Sequence, residues 1–432
     1  MGMEPREPSG MELRRAAAVV LPEAFSVLPP GPGPRFDTER VNPCFKPPSG
    51  GQPLCIPYYY VLGQFHGGAF DLYDRLLQHP SIIQRPRQAS RFNGEAHAWE
   101  KMMWRGCDYG SCPRRRGAGA QPIDMPAALK EDQSKVFGEV MGSGLCFTWG
   151  ATHSLLHSTY TANMTACWKA GFRGARQRVC YGRAMAAQRE WESKIGAGSS
   201  GQFTVPWLMR AVHGTNAIRL LAVLREPSRR LYAAYWFWPQ YRRRYGFGGD
   251  GFVKYVQDTL PPLRDCFAAH GARACARSFE GLDQKYENVY YHADQVLKGA
   301  YALFVDEWLN AFGRRRLLVL RAEDYWASTA KTLADVVSFL GVASLPDRQL
   351  REIAARPITY LPGSNASFRG DMRVVNRIRP APAAEALRGH TLTRVPEPMP
   401  REAAELLRGF YGPLNSELAQ MLRDKRFLWL DV

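Results

Sequence analysis

Residues 58–80 read YYYVLGQFHGGAFDLYDRLLQHP. The opening run, Tyr58 to Leu62, is short, apolar and rich in strand formers, which predicts a buried strand. Gly63, Gly67 and Gly68 predict a turn. From Asp71 the spacing becomes helical, with Leu72, Leu76 and Leu77 on one side and Asp71, Asp74 and Arg75 on the other. Strand, glycine turn and helix together aim free backbone N–H groups and a helix N-terminus at an anion. We read the turn as a holder of a nucleotide phosphate. An ordinary βα connection has the same outline, and on the turn alone that plainer reading is the favoured one.

Outward from this unit, strands and helices alternate. IRLLAVLREP, from Ile218, predicts a buried strand with a charged exit, followed by a helix from about Ser228 that opens on Pro227 and is kinked or ended by Pro239. A third unit runs from an amphipathic helix ending at Gly313 through the strand RRLLVLRAEDY. A helix with Leu333, Val336, Val337 and Leu340 on one face follows, capped by Gly341. Residues 401–422 predict a last amphipathic helix, and residues 246–251, 107–126 and 356–400 read as loops. The alternation indicates an α/β fold with a mostly parallel central sheet flanked by helices. Residues 1–42, rich in Pro, Gly and Arg, are expected to be a flexible tail, leaving 43–432 as one domain.

A formal charge of +17 predicts affinity for polyanions, but no nucleic-acid-binding signature is present, so no nucleic-acid partner is expected. Nine cysteines fit an oxidising, lumenal compartment. Cys44 with Cys55, and Cys266 with Cys275, each bracket a short loop-like segment and suit local disulfides. Cys107 and Cys112 lack a second pair at zinc-ligand spacing, so no metal is expected. Asn163 and Asn365 begin glycosylation sequons. No apolar run of about 18 residues occurs, so no membrane anchor is visible. The apolar AAAVVLPEAFSVLPP is short and broken by Pro22; a start site downstream of a signal anchor would reconcile it with the cysteines.

In open α/β sheets ligands sit at the carboxyl ends of strands, and three segments are expected to converge there: residues 63–70, 224–227 and 321–325. Arg225 leaves a buried strand just before a helix, a position suited to gripping a phosphate, although an arginine at a strand end more often pairs with a neighbour such as Glu226. Arg229 and Arg230 read equally well as a solvated face.

Taken in order, NPCF, PLCIPYYYVLGQ, DLYDRLLQHP, EAHAW, VLREPSRRLYAAY, DEWLNAFGRRRLLVLRAEDY and PMPREAAELLRGFYGPLNSELAQML resemble the Golgi-type carbohydrate sulfotransferases. Within them the chain is most similar to the kind that 6-O-sulfates N-acetylgalactosamine 4-sulfate in chondroitin and dermatan sulfate. The resemblance spans Asn42 to Trp429, with only scattered matches over residues 93–215. It implies a P-loop-like sulfotransferase fold, 3′-phosphoadenosine 5′-phosphosulfate as donor without a metal, an acidic polysaccharide acceptor and a Golgi-lumenal setting. It implies roles for residues too. Gly67, Gly68, Ala69 and Phe70 cradle the phosphosulfate, Arg225 clamps the 3′-phosphate and Glu95 is the general base. The family's loop lysine falls on His66, its proline on Phe65, its two threonines on Ala69 and Phe70, and its 3′-phosphate serine on Ala233. Imidazole replaces an ammonium only when protonated, from an ordinary pKa near 6.5, so His66 as catalytic cation implies an acidic lumen. His97, two residues after Glu95, and the outward-facing arginines of the cluster Trp236, Trp238, Arg242, Arg243 and Arg244 are acceptor-contact candidates; of these we single out Arg242 and Arg243. A relative that binds glycan or nucleotide without turnover is the alternative. A P-loop kinase is disfavoured because GxxxxGK[ST] is absent.

Overall fold

The structure, a computed structural model, describes residues 10–20, 28, 36–64, 66–83, 123–124, 126–141, 144–146, 158–194, 204–214, 218–356 and 397–432. Eight strands fall within these residues: β1 (Cys44–Phe45), β2 (Leu54–Cys55), β3 (Tyr59–Leu62), β4 (Ile82–Ile83), β5 (Ile123–Asp124), β6 (Val136–Met141), β7 (Arg219–Leu224) and β8 (Leu317–Arg321). Five of them form a sheet in the order β4-β6-β3-β7-β8, and every neighbouring pair is parallel. The other three form a small antiparallel sheet, β1-β2-β5.

A parallel strand buried on both faces needs apolar side chains on both, so it reads as an unbroken apolar run rather than an alternation. That is the pattern of β3, where all four residues are buried. Tyr60 and Leu62 join the larger core with Leu220, Ala222 and Leu224, while Tyr59 and Val61 join the core on the opposite face with Leu221 and Val223. Each such aliphatic side chain contributes roughly 1.5–3 kcal/mol by leaving water. The expected strands at 58–62, 218–224 and 317–321 are all present. The helix Pro227–Phe237 opens on Pro227, and the chain breaks at Trp238 before the helix Pro239–Tyr245. Thr329–Leu340 buries the four predicted apolar residues and ends on Gly341 in the left-handed region, φ 68°.

Several expectations are corrected. Within the expected tail, Gly10–Val20 is a helix whose Leu13 and Ala17, one turn apart, are buried against the helix Val205–His213. The Cys266–Cys275 pair does form, but across a helix–Gly271–helix corner rather than a loop. Gly249 already belongs to the helix Gly249–His270, which shortens the loop expected at 246–251. Cys44–Cys55 staples β1 to β2 as expected, and Cys167–Cys180 adds a third disulfide between two helices that periodicity did not reveal. Strand β6 also went unread, because Gly138 and Glu139 interrupt its apolar run. Among the described residues no helix is long and apolar enough to cross a membrane.

Candidate functional site

β3 lies at the centre of the sheet, and the chain turns from it first toward β4 and β6 and later toward β7. The carboxyl end of β3 is therefore the switch point where an α/β sheet opens a crevice. Gly63 N–H donates to Met141 O (2.8 Å) and Leu145 N–H to Gly63 O (3.2 Å), fixing the strand's exit to β6. The turn then tightens, with Gly67 N–H donating to Gln64 O at 2.8 Å. A Cβ on Gly67 would lie 2.9 Å from Gln64 O and 3.2 Å from Val223 O, so backbone packing excludes any side chain there. His66 and Gly68 take positive φ, 69° and 99°, and the helix Ala69–Leu76 starts at once with Leu72 N–H donating to Gly68 O. No side chain caps this helix, so its first N–H groups face the crevice.

The three strand exits do converge. Arg225 Nη1 donates to His66 O at 3.3 Å, and its guanidinium lies 5.7 Å from the Trp326 ring centroid. Tyr325 OH donates to Asp71 Oδ2 at 2.5 Å, and Glu226 N–H donates to Glu323 Oε1 at 2.9 Å. Arg225 is not a surface ion pair: it is 2 % exposed, and Glu226 is occupied capping its own helix by accepting from Ser228 and Arg229 N–H. Burial lowers the Arg225 pKa to about 10, opposed by the Glu323 and Glu226 carboxylates. Arg230 is wholly buried rather than solvated, donating to the side-chain and backbone oxygens of Gln295. Two guanidinium groups thus stand in a dry place beside the loop, where a counter-anion is favoured.

His66 is buried with its ring 4.9 Å from that of Phe237 in edge contact. Desolvation first, then Arg230 and Arg225, push its pKa well below the usual histidine value. The imidazole is therefore neutral in the protein by itself, and only an anion set between it and the arginines would restore its proton. This changes the expectation of a charged His66: compartment acidity is not enough, and the ligand must supply the charge.

Phe237 also touches Trp238, with ring centroids 4.8 Å apart, so the basic helix Pro239–Tyr245 begins one residue beyond the aromatic pair at the loop. There Arg242 is half-buried, 5.7 Å from the exposed Phe247 ring, Arg243 is exposed, and Arg244 reaches Asp258 at 3.7 Å. Glu95, His97 and Phe65 lie outside the described residues. Among the described residues no three His, Cys, Asp or Glu side chains gather as a metal set. Sequence reasoning missed Trp326, Gln64 and the burial of Arg230. The composition of RAEDYW marks an exit, not which of its residues turns toward a loop two and a half hundred positions earlier.

No family model matches the chain. Carbohydrate sulfotransferase 15 of Rattus norvegicus is 26% identical over 391 residues, 87% of this chain, and that of Homo sapiens is 26% identical over 387. The chain is similar to carbohydrate sulfotransferase 15. It spans 55% of the length of the curated relatives it matches. A sulfotransferase from Alicyclobacillus acidocaldarius aligns over 85% of this chain and 96% of its own at 15% identity, with a TM-score of 0.35. The α/β class of the chain follows from its own five-stranded parallel sheet.

Proposed function

We propose that this chain is a carbohydrate sulfotransferase that moves a sulfo group from 3′-phosphoadenosine 5′-phosphosulfate to a hydroxyl of an acidic glycan. The observation that carries the reading is its similarity to carbohydrate sulfotransferase 15 along 87% of its length. The uncapped glycine loop and the buried Arg225 and Arg230 beside it support a polyphosphorylated donor. The finer acceptor is the 6-hydroxyl of N-acetylgalactosamine 4-sulfate in a chondroitin- or dermatan-like chain. Three disulfides among the described residues suit a lumenal, Golgi-type compartment.

In this reading the acceptor oxygen attacks the sulfo sulfur in line. The S–O bond to the 5′-phosphate breaks, its electron pair stays on that phosphate, and the acceptor proton passes to the Glu95 carboxylate. Backbone N–H groups at Gly67, Gly68, Ala69 and Phe70 hold the 5′ end, and Arg225 holds the 3′-phosphate. His66, protonated by the proximity of the donor anion, stabilises the leaving phosphate. His97, Arg242 and Arg243 contact the acidic acceptor. Because Ala69 and Phe70 bring no hydroxyls to the loop, the donor relies on backbone and arginine contacts.

The test is transfer of radiolabelled sulfate from the donor to chondroitin 4-sulfate and a panel of acidic glycans, with Glu95→Gln beside the wild type. Transfer is expected, with the new sulfate at the 6-position of 4-sulfated N-acetylgalactosamine and at least about 100-fold slower in Glu95→Gln. Donor binding by calorimetry without transfer to any acceptor would establish the non-catalytic alternative instead. No donor binding and no transfer would end the sulfotransferase reading.

A further inference from the structure

Trp326 sits in the helix Ala322–Ala327, directly after β8, and is 8% exposed. Its polar neighbours spend their groups within the protein. Glu323 accepts from Glu226 N–H and Trp429 Nε1, Asp324 from Arg321 and Arg426, and Tyr325 donates to Asp71. The indole Nε1 is different: it is buried and has no hydrogen-bond partner among the described residues. A buried N–H without an acceptor costs folding free energy, so its persistence asks for an acceptor that arrives from outside. Its position says where that acceptor would lie. A Cβ built on Gly68, the residue that starts the loop helix, would be 3.2 Å from Trp326 Cζ2 and 3.6 Å from Nε1. The face of the same ring lies under the Arg225 guanidinium, 5.7 Å from the ring centroid. The indole thus spans the gap between the glycine turn and the buried arginine, at a loop where Gly67, Gly68, Ala69 and Phe70 carry no hydrogen-bonding side chain.

Resting on the donor site just proposed, we propose that Trp326 Nε1–H donates a hydrogen bond to the 5′-phosphate of the bound nucleotide, making Trp326 a phosphate-binding residue of the loop. The ring does two further things. It crowds the position a Cβ on Gly68 would take, 3.2 Å from Cζ2, and it orients Arg225 through the cation–ring contact, so that the 5′- and 3′-phosphates are read by one rigid unit.

The probes are adenosine 3′,5′-bisphosphate and adenosine 3′-phosphate, titrated calorimetrically into the full chain. Trp326→Phe keeps an aromatic ring beneath Arg225 and removes the N–H. Benzothienylalanine at position 326 has sulfur in place of N–H with nearly the same outline, and it keeps the test open if the phenylalanine variant folds poorly. Either change is expected to weaken the bisphosphate roughly ten-fold and to leave adenosine 3′-phosphate within two-fold. Unchanged bisphosphate affinity, or equal weakening of both nucleotides, would overturn the assignment, the second because it points to displaced Arg225 rather than a lost hydrogen bond. A wild-type chain that binds neither nucleotide would instead remove the donor site itself.

Discussion

His66 and His213 show how position sets the charge of a residue whose ordinary pKa lies near neutrality. His213, 1% exposed and in contact with Tyr60 OH at 3.0 Å, has its pKa pushed down to about 3 by burial. His66 is lowered by burial and by two arginines. A lowered folded-state pKa means that between the folded and unfolded values the unfolded chain binds more protons, so stability rises with pH across that window. The stabilising contribution is complete above about 6.5 and is lost as pH falls from there toward about 3 for His213. Urea unfolding between pH 7.5 and 5 should therefore show stability falling by about 1.4 kcal/mol per pH unit for each buried histidine once below 6.5. His213→Gln should remove about one proton's worth of that slope. An unchanged slope in that variant would show that His213 titrates normally. Saturating adenosine 3′,5′-bisphosphate should shrink the His66 share, since the bound anion raises its pKa toward the unfolded value.

At the scale of elements, the loop helix is held by charges that helical periodicity assigned to its outer face. Asp71 and Arg75 are buried, 1% and 3% exposed, and Arg75 Nε donates to Asp71 Oδ2 at 3.0 Å. Arg75 also donates to Ile353, Ala354 and Arg356 carbonyls, and Tyr325 to Asp71, so the helix Ala69–Leu76 is tied to segments after β8. Removing one partner leaves the other's charge buried, which costs about 3–5 kcal/mol. Asp71→Ala should lower stability by that much in urea melts, while Asp71→Ala with Arg75→Met should cost less than the sum of the single changes by at least about 1 kcal/mol. Strict additivity would mean that the pair is not a unit. The glycines and the apolar side of this helix were legible in the sequence. Its buried ion pair was not, because spacing records which residues share a face and not whether a distant carbonyl or hydroxyl comes to meet them.

For the molecule as a whole, the +17 charge is a long-range property that needs no particular fold to attract a polyanion. Binding of chondroitin 4-sulfate should weaken on the order of ten-fold as ionic strength rises from 50 to 200 mM, and Arg242→Ala with Arg243→Ala should make that dependence shallower. Affinity indifferent to salt would contradict an electrostatic acceptor surface. The chain's own text determined the three strand–turn–helix units, the glycine loop, the parallel class and two of the disulfides, because each is written in a local run of residue types or a short spacing. Tertiary structure alone decided that β6 lies beside β3, that Arg225 and Arg230 are dry, that His66 is neutral without a ligand, and that Trp326 closes on Gly68. Each of those depends on which remote segment removes water from a group and what partner it brings, and burial of that kind is a property of the packed chain that no local pattern contains.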